Sequence, residues 1–371
     1  MHTDDFYMAR ALAVAERGRG RTSPNPMVGA VVVDPEGVVV GSGNHEAAGG
    51  PHAEVHALRA AGDRARGATL YCTLEPCSHV GRTGPCAPRV ADAGIARVVL
   101  AVEDPNPLVN GRGVTILRDR GVRVTTGVMR DEARALNRPF FSVMLRRRPS
   151  VTMKVALSLD GRIAEAAGVR TRLTGPAANR LIHRERAEID ALAVGSGTVL
   201  ADDPLLTPRG AYRYRPLTRV VFDTRLRTPP RAKLFSTLEA GPVIIVSTPS
   251  ASAAAPDRAA ALAAAGAEIA IVSESGDVRS ASGAGSLRAG LELLAARGLS
   301  SVTVEGGAML HRALWDSGLV DRVQIFRTPH RLGELGILWL PSVAAGEELQ
   351  GMVTTPLGAD TLIEGYVYRP D

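Results

Sequence analysis

Cysteine is scarce, with three in 371 residues. That is too few for a disulfide framework in a chain this long, and it suits a reducing compartment. Aromatic residues make up only 4%, which leaves few stacking platforms for a single-stranded nucleic acid. No apolar run approaches the roughly 20 residues needed to span a bilayer. The opening Met1 to Asp5 lacks a basic region leading into an apolar one, so no secretory signal and a cytoplasmic location are expected. Long runs of one charge are also missing. The net charge is +6 and the pI about 9.6, yet the arginines are scattered and only Arg146-Arg147-Arg148 forms a run. Such a balance draws small anionic substrates as well as it draws nucleic acid, and phosphate-bearing metabolites are the partners expected. What is present is a globular composition, 45% hydrophobic with mean hydropathy +0.04. The length suggests two or three domains.

One discontinuous stretch organises the rest. His52-Ala53-Glu54 is followed by Leu74-Glu75-Pro76-Cys77 and, nine positions on, by Cys86. One imidazole and two thiolates bind zinc tetrahedrally and leave the fourth corner open, as a catalytic site requires. Glu54, two residues past the histidine, is placed to move protons without filling a coordination position. A His-x-Glu alone carries no information, and a lone cysteine is usually a small buried hydrophobe. In this order the set matches the signature of zinc nucleobase deaminases. Cys72 ends the apolar run from Ala68 and reads as core packing, not as a ligand. The spacing departs from the commonest pattern, since eight residues, not two, separate Cys77 from Cys86.

The first 145 residues alternate helix and strand. Helices are expected over 4–17, from His52 through Ala61, and from about Pro85. Strands are expected at Val28–Val33, from Val38, at Ala68–Cys72 and at Val98–Val102. Both metal half-sites then fall where a strand hands over to a helix N-terminus, whose partial positive charge favours thiolates. Leu145 to Pro149 reads as a linker with a solvated arginine hinge. Beyond it a second α/β region places strands at Val151–Leu157, Ala191–Val194, Arg219–Phe222, Val243–Val246, Glu268–Val272, Ser301–Val304 and Arg322–Phe326. Helices over 176–187, 256–265, 287–297 and 307–316 alternate with most of them, which argues for a largely parallel sheet covered on both faces. The alanine-rich 251–265 run is a helix former, and Ser273 to Ser286 reads as a surface loop. Two strand ends, Gly195-Ser196-Gly197-Thr198 and Glu305-Gly306-Gly307, are glycine turns opening helices, a geometry that admits a phosphate. The first lacks the third glycine of a Rossmann fingerprint, and glycines also simply close turns.

Thr73-Leu74-Glu75-Pro76-Cys77-Ser78-His79, then Gly81-Arg82-Thr83 and Pro85-Cys86, resembles the bifunctional deaminase/reductase family of riboflavin biosynthesis. In the second half Lys154, Asp160-Gly161-Arg162, the segment from Thr198 to Thr207, and Glu305-Gly306-Gly307 resemble its reductase. The resemblance covers nearly the whole chain and is weakest after about residue 330. It implies a zinc-dependent, cytidine-deaminase-like α/β/α domain over 1–145, a linker at 146–149, and an NADPH-dependent, dihydrofolate-reductase-like α/β domain over 150–371, in a homo-oligomer. Carried over position by position, Asn25, His45, Arg82, Asp104 and Asn106 hold the substrate of the deaminase. Asn25-Pro26 and Asp104 to Pro107 are also ordinary turn sequences. Arg172, Thr198, Asp202, Thr224, Gly306 and Gly307 face NADPH. Lys154, Arg170, Arg186, Leu206, Arg209 and Glu305 hold the substrate of the reductase, where a guanidinium fork suits a phosphate. One departure stands out: the family usually has Ser-x-Trp where this chain has Arg170-Thr171-Arg172.

The reading that follows is deamination of 2,5-diamino-6-ribosylamino-4(3H)-pyrimidinone 5′-phosphate, then reduction of its ribosyl group to ribityl. Two alternatives stay open at this level: a deaminase acting on nucleic acid, or a deaminase scaffolded by a degenerate reductase. Binding of NADPH, or of RNA or DNA, separates them.

Overall fold

A computed structural model describes residues 2–78, 84–273 and 284–367, and the chain divides into two compact units after Arg147. The first is built on β1 (Gly29–Val33), in which every residue is buried. A strand covered on both faces reads as a continuous apolar run, and Ala30 to Val33 is one. It sits between β2 (Val39–Asn44) and β3 (Thr69–Cys72), antiparallel to both. The parallel strands β4 (Arg97–Leu100) and β5 (Arg123–Thr126) complete the order β2-β1-β3-β4-β5.

The helices of this unit are α1 (Asp4–Ala15), α2 (Ala53–Ala61), α3 (Cys86–Asp92), α4 (Arg112–Asp119), α5 (Arg130–Leu136) and α6 (Arg138–Arg146). Close approach of α2 to β2 is possible because Gly41 and Gly43 have no side chain. A Cβ on Gly41 would come within 2.2 Å of the Ala57 carbonyl, and one on Gly43 within 2.3 Å of the His56 Cβ. That contact seats the helix carrying His52 and Glu54. On one face Ala57, Leu58 and Ala61 join Leu70, Cys72, Val98 and Leu100 in a core, and Met8, Val31, Tyr71 and Phe141 form another.

The second unit places β6 (Ser150–Leu157) near the middle of its large sheet. The other strands are β8 (Ala191–Gly195), β9 (Thr218–Phe222), β10 (Val243–Ser247), β11 (Ala267–Ile271), β12 (Ser301–Val304), β13 (Arg322–Arg327), β15 (Gln350–Leu357) and β16 (Asp360–Tyr366). Their order is β11-β10-β9-β8-β12-β6-β13-β16-β15, and a small pair joins β7 (Arg162–Ala164) to β14 (Ile337–Leu338). Every neighbouring pair from β11 to β13 is parallel, while β16 and β15 are antiparallel additions. The intervening helices are α7 (Pro176–Glu188), α8 (Ser196–Asp202), α9 (Pro249–Ala254), α10 (Pro256–Ala264), α11 (Ala284–Ala296) and α12 (Ala308–Asp316). Among the described residues no helix is long and apolar enough to cross a membrane.

Several expectations need correcting. The arginine run is not a solvated hinge throughout: Arg148 is buried and paired to buried Asp321 by two hydrogen bonds of 2.6 and 2.8 Å. Truncating one partner would strand the other in the core, at a cost of about 3–5 kcal/mol. The 251–265 run is two helices, because Pro256 has no N–H to continue the first and starts the second at its N1 position. Residues 284–286 of the expected loop belong to α11, and 274–283 lie outside the described residues. The strand expected to reach Val102 ends at Leu100. The β15–β16 hairpin, β5 and helices α4 to α6 lie outside the elements expected from the sequence.

Candidate active sites

In the first unit, His52 is the N-cap of α2 and Glu54 lies in its first turn. Cys86 opens α3 behind Pro85, whose fixed backbone suits a helix start. Cys77 belongs to no helix, contrary to expectation, and lies in the loop after β3. Its sulfur instead accepts the Cys86 backbone N–H at 3.3 Å. The His52 Nδ1 lies 3.5 Å from the Cys77 Sγ and 3.4 Å from the Cys86 Sγ, and the three donor atoms fall within 4.8 Å of one another. A soft sulfur pair with one imidazole fits zinc. The Cys86 thiol, aimed at Cys77, pulls the latter's pKa down to about 4, and the same contact pushes Cys86 up. A lowered Cys77 pKa is the direction that metal capture needs. Cys72 lies in the apolar core and burial raises its pKa. It stays a protonated thiol.

Glu54 is 3% exposed, and burial pushes its pKa up to about 7. It lines a cleft of about 430 Å³ together with His52, Cys77, Asn25, His45, Asp104, Asn106 and Phe140. The Asn25 amide nitrogen is 3.1 Å from His45 Nε2, and His45 Nδ1 is 3.1 Å from the Pro51 carbonyl. Nδ1–H then donates to Pro51, so Nε2 accepts from Asn25. Burial lowers the His45 pKa, which keeps the ring neutral. Asp104 accepts the Asn106 N–H at 2.8 Å and is raised to about 6 by burial. Arg82 lies outside the described residues.

Two buried residues that organise this cleft give no sign in the sequence of doing so. Both carboxylate oxygens of Glu75 accept backbone N–H groups: Asp104 at 3.2 Å, Gly111 at 2.9 Å and Val114 at 3.1 Å. One side chain thus shapes the Asp104–Asn106 turn and caps α4. Asn137 holds both backbone groups of Met27, at 2.7 and 2.8 Å, and so fixes the turn that carries Asn25. Glu75 lies inside a visible motif. Asn137, 110 positions away from its partner, had no local signal.

In the second unit a cleft of about 840 Å³ runs along the carboxyl ends of the strands, lined by Lys154, Thr198, Asp202, Thr224, Glu305, Gly306 and Gly307 among others. This is where ligands settle in open α/β sheets. Glu305 receives two hydrogen bonds from Arg186, of 2.8 and 2.6 Å, and has the Lys154 ammonium at 3.6 Å. Although burial opposes it, these cations hold Glu305 well below the usual carboxylate range. Burial in turn lowers Lys154. Leu206 is buried with φ at 56°, a left-handed backbone that leucine rarely adopts. Arg209 is exposed, and its backbone N–H meets His183 Nδ1 at 3.2 Å. Partial desolvation and the charges of Arg186, Arg170 and Arg172 press its pKa down. The four arginines therefore share one electrostatic neighbourhood suited to an anion. Arg170 and Arg172 are exposed and do not line the cleft, whereas Thr171 between them does.

Comparison with known proteins gives each unit a matching family model. A model of the cytidine and deoxycytidylate deaminase zinc-binding region matches residues 1–102, and one of the RibD C-terminal domain matches 149–360. The second match extends beyond residue 330, where the sequence resemblance weakens. The riboflavin biosynthesis protein RibD of Aquifex aeolicus is 38% identical over 363 residues, 97% of each chain. That of Escherichia coli is 40% identical over 354 residues, 92% of each. Among solved structures, Acinetobacter baumannii RibD superposes with a TM-score of 0.84 at 34% identity, covering 99% of both chains. A Thermotoga maritima diaminohydroxyphosphoribosylaminopyrimidine deaminase / 5-amino-6-(5-phosphoribosylamino)uracil reductase gives 0.81 at 32% over 98% of both.

Proposed function

The chain belongs to the RibD family of bifunctional, zinc- and NADPH-dependent deaminase/reductases of riboflavin biosynthesis, and on that premise we propose which residues carry each half-reaction. The observation that carries the reading is the convergence of the His52, Cys77 and Cys86 donor atoms beside buried Glu54 at the cleft. Zinc held by those three supplies the Lewis acidity that makes water a nucleophile near neutral pH. Glu54 takes a proton from water, delivers it to the ring nitrogen and assists the departing amine. Asn25, His45, Asp104 and Asn106 orient the aminopyrimidine ring of a small phosphorylated substrate. Arg82 is assigned its phosphate by resemblance.

For the second half-reaction we assign the phosphates of NADPH to the glycine turns at Thr198 and at Gly306-Gly307, with Asp202 and Thr224 along the same cleft. Lys154, Arg186 and Glu305 form the charged end of the substrate pocket, with Leu206 as its apolar wall. Arg170, Arg172 and Arg209 supply the anion neighbourhood. Hydride chemistry belongs to the cofactor, and the protein's share is positioning and charge. The deaminase domain is assigned to 1–145, the linker to 146–149 and the reductase to 150–371. A homo-oligomer is part of the proposal, supported by β15, an outer strand mostly exposed along its length. So is a cytoplasmic location, which suits three free cysteines.

Gly307 offers a test of the cofactor assignment. A Cβ added there would have Thr198 Oγ1 at 4.0 Å as its nearest protein neighbour, whereas one at Gly306 would press on Leu310 at 3.1 Å. Gly307→Val should therefore fold, intrude on the cleft and raise the Kd for NADPH about tenfold or more, ~1.4 kcal/mol. Calorimetry reads the binding, and deamination should be unchanged. NADPH binding of wild-type strength in the variant would remove Gly307 from the cofactor site.

A further inference from the structure

His183 lies in α7 one turn before Arg186, half-buried, and neither half-reaction makes use of it. Its Nδ1 lies 3.2 Å from the Arg209 backbone nitrogen, whose N–H donates to it. A backbone N–H can only donate, so Nδ1 is the bare, accepting nitrogen of the ring. A proton added there would displace the Arg209 amide and put a further charge beside Arg186, Arg209 and Lys154. Burial and those cations, opposed by Glu305, hold the His183 pKa down to about 4. At neutral pH the ring is uncharged, and its one proton sits on Nε2.

The bond restrains a short and unusual piece of chain. Leu206 is buried with φ at 56°, and Gly210 follows Arg209 with φ at 68°. A left-handed leucine persists only where its surroundings fix it. Between these two left-handed residues, α7 grips the backbone twice. Arg186 Nη1 donates to the Thr207 carbonyl at 3.3 Å, and His183 accepts the Arg209 N–H. Pro208, between them, has no N–H to offer. His183 and Arg186 stand at i and i+3, so both project from one face of the helix. The same Arg186 holds Glu305 through Nε and Nη2, at 2.8 and 2.6 Å. The segment carrying Arg209 is thereby tied to the charged end of the reductase pocket.

We propose that His183, as a neutral acceptor, is a positioning residue that sets Arg209 against the 5′-phosphate of the reductase's substrate. Without its bond only the Thr207 carbonyl would tie the segment to α7, and Arg209 is exposed to solvent. A guanidinium grips a phosphate through two parallel N–H groups, so a misplaced backbone weakens the grip. The proposal rests on the assignment of Arg209 to the substrate's anion. The protonation state of the ring does not.

Three variants and one spectrum test it. Reduction of the deaminated ribotide is followed at saturating NADPH, with and without its 5′-phosphate. His183→Leu keeps bulk but cannot accept the amide, and its KM for the phosphorylated substrate should rise about fivefold to tenfold. Its kcat, its Kd for NADPH and its deamination should stay near wild type. On the substrate without phosphate, His183→Leu and wild type should share one KM. His183→Gln, whose side-chain oxygen can accept the Arg209 N–H, should return KM towards wild type. An unchanged KM in His183→Leu, or an equal rise for both substrates, overturns the proposal. Should that variant also lose NADPH and so prove misfolded, long-range 1H–15N spectroscopy of histidine-labelled wild type decides. With His183 identified by the signal lost in His183→Gln, its ring should be neutral with the proton on Nε2. A proton on Nδ1, or a cationic ring at neutral pH, overturns the proposal without any variant. Arg209→Ala checks the reading beneath it and should raise KM for the phosphorylated substrate at least as far. No rise there refutes the assignment of Arg209, whereas a rise there with none in His183→Leu refutes only the positioning.

Discussion

Cys77→Ser is expected to yield protein without zinc and without deaminase activity, while NADPH binding by the other domain persists. Serine removes the soft sulfur ligand, and a hydroxyl does not ionise in its place. Nor can two remaining donors close a three-ligand site. Cys72→Ser is the control. It should keep both metal and activity, at some cost in stability, because a hydroxyl replaces a thiol in an apolar core. Elemental analysis of purified protein, beside an ammonia-release assay, reads both. Stoichiometric zinc in the Cys77 variant would remove Cys77 from the ligand set.

Glu54→Gln should do the opposite, keeping the metal and losing the chemistry. Glutamine has glutamate's size but no basicity, and the side chain is 3% exposed in the first turn of α2, where a change of shape would be felt. Deamination should fall roughly 10²- to 10⁴-fold, the range for a positioned acid/base. Zinc content should match wild type, as should reduction of an already deaminated substrate. Zinc loss in this variant would make Glu54 a ligand and rule out the proton-transfer role. The same assay run on both variants separates holding the ion from moving the proton.

The parts of these sites visible in the sequence are those where chemistry is carried by a short local pattern. His52-x-Glu54 and Cys77 with Cys86 need only a helix start and a loop to converge, and glycine turns at strand ends announce themselves in the same way. The residues that hold such patterns in place were not visible. Glu75 is one carboxylate among 38 acidic side chains until three backbone N–H groups close on it. Asn137 is an ordinary polar residue until the fold brings Met27 to it.

Strands are hidden in the sequence where burial is weak. Apolar β6, β9 and β10 are legible, whereas β15 is exposed on both faces and shows no period to read. Arg148 departs from expectation for a related reason: charge in a run suggests solvent, and only its tertiary partner Asp321 explains its burial.

The central claim, that one chain deaminates a pyrimidine ribotide at the zinc site and then reduces it with NADPH, is tested most directly by mass analysis of one incubation. Wild-type protein is given 2,5-diamino-6-ribosylamino-4(3H)-pyrimidinone 5′-phosphate with and without NADPH. Without it, the substrate should exchange an amine for oxygen and go no further. With it, the same product should gain two hydrogens as NADPH is consumed. Accumulation of the deaminated compound with NADPH untouched, or recovery of the substrate unchanged by zinc-loaded protein, would contradict the account.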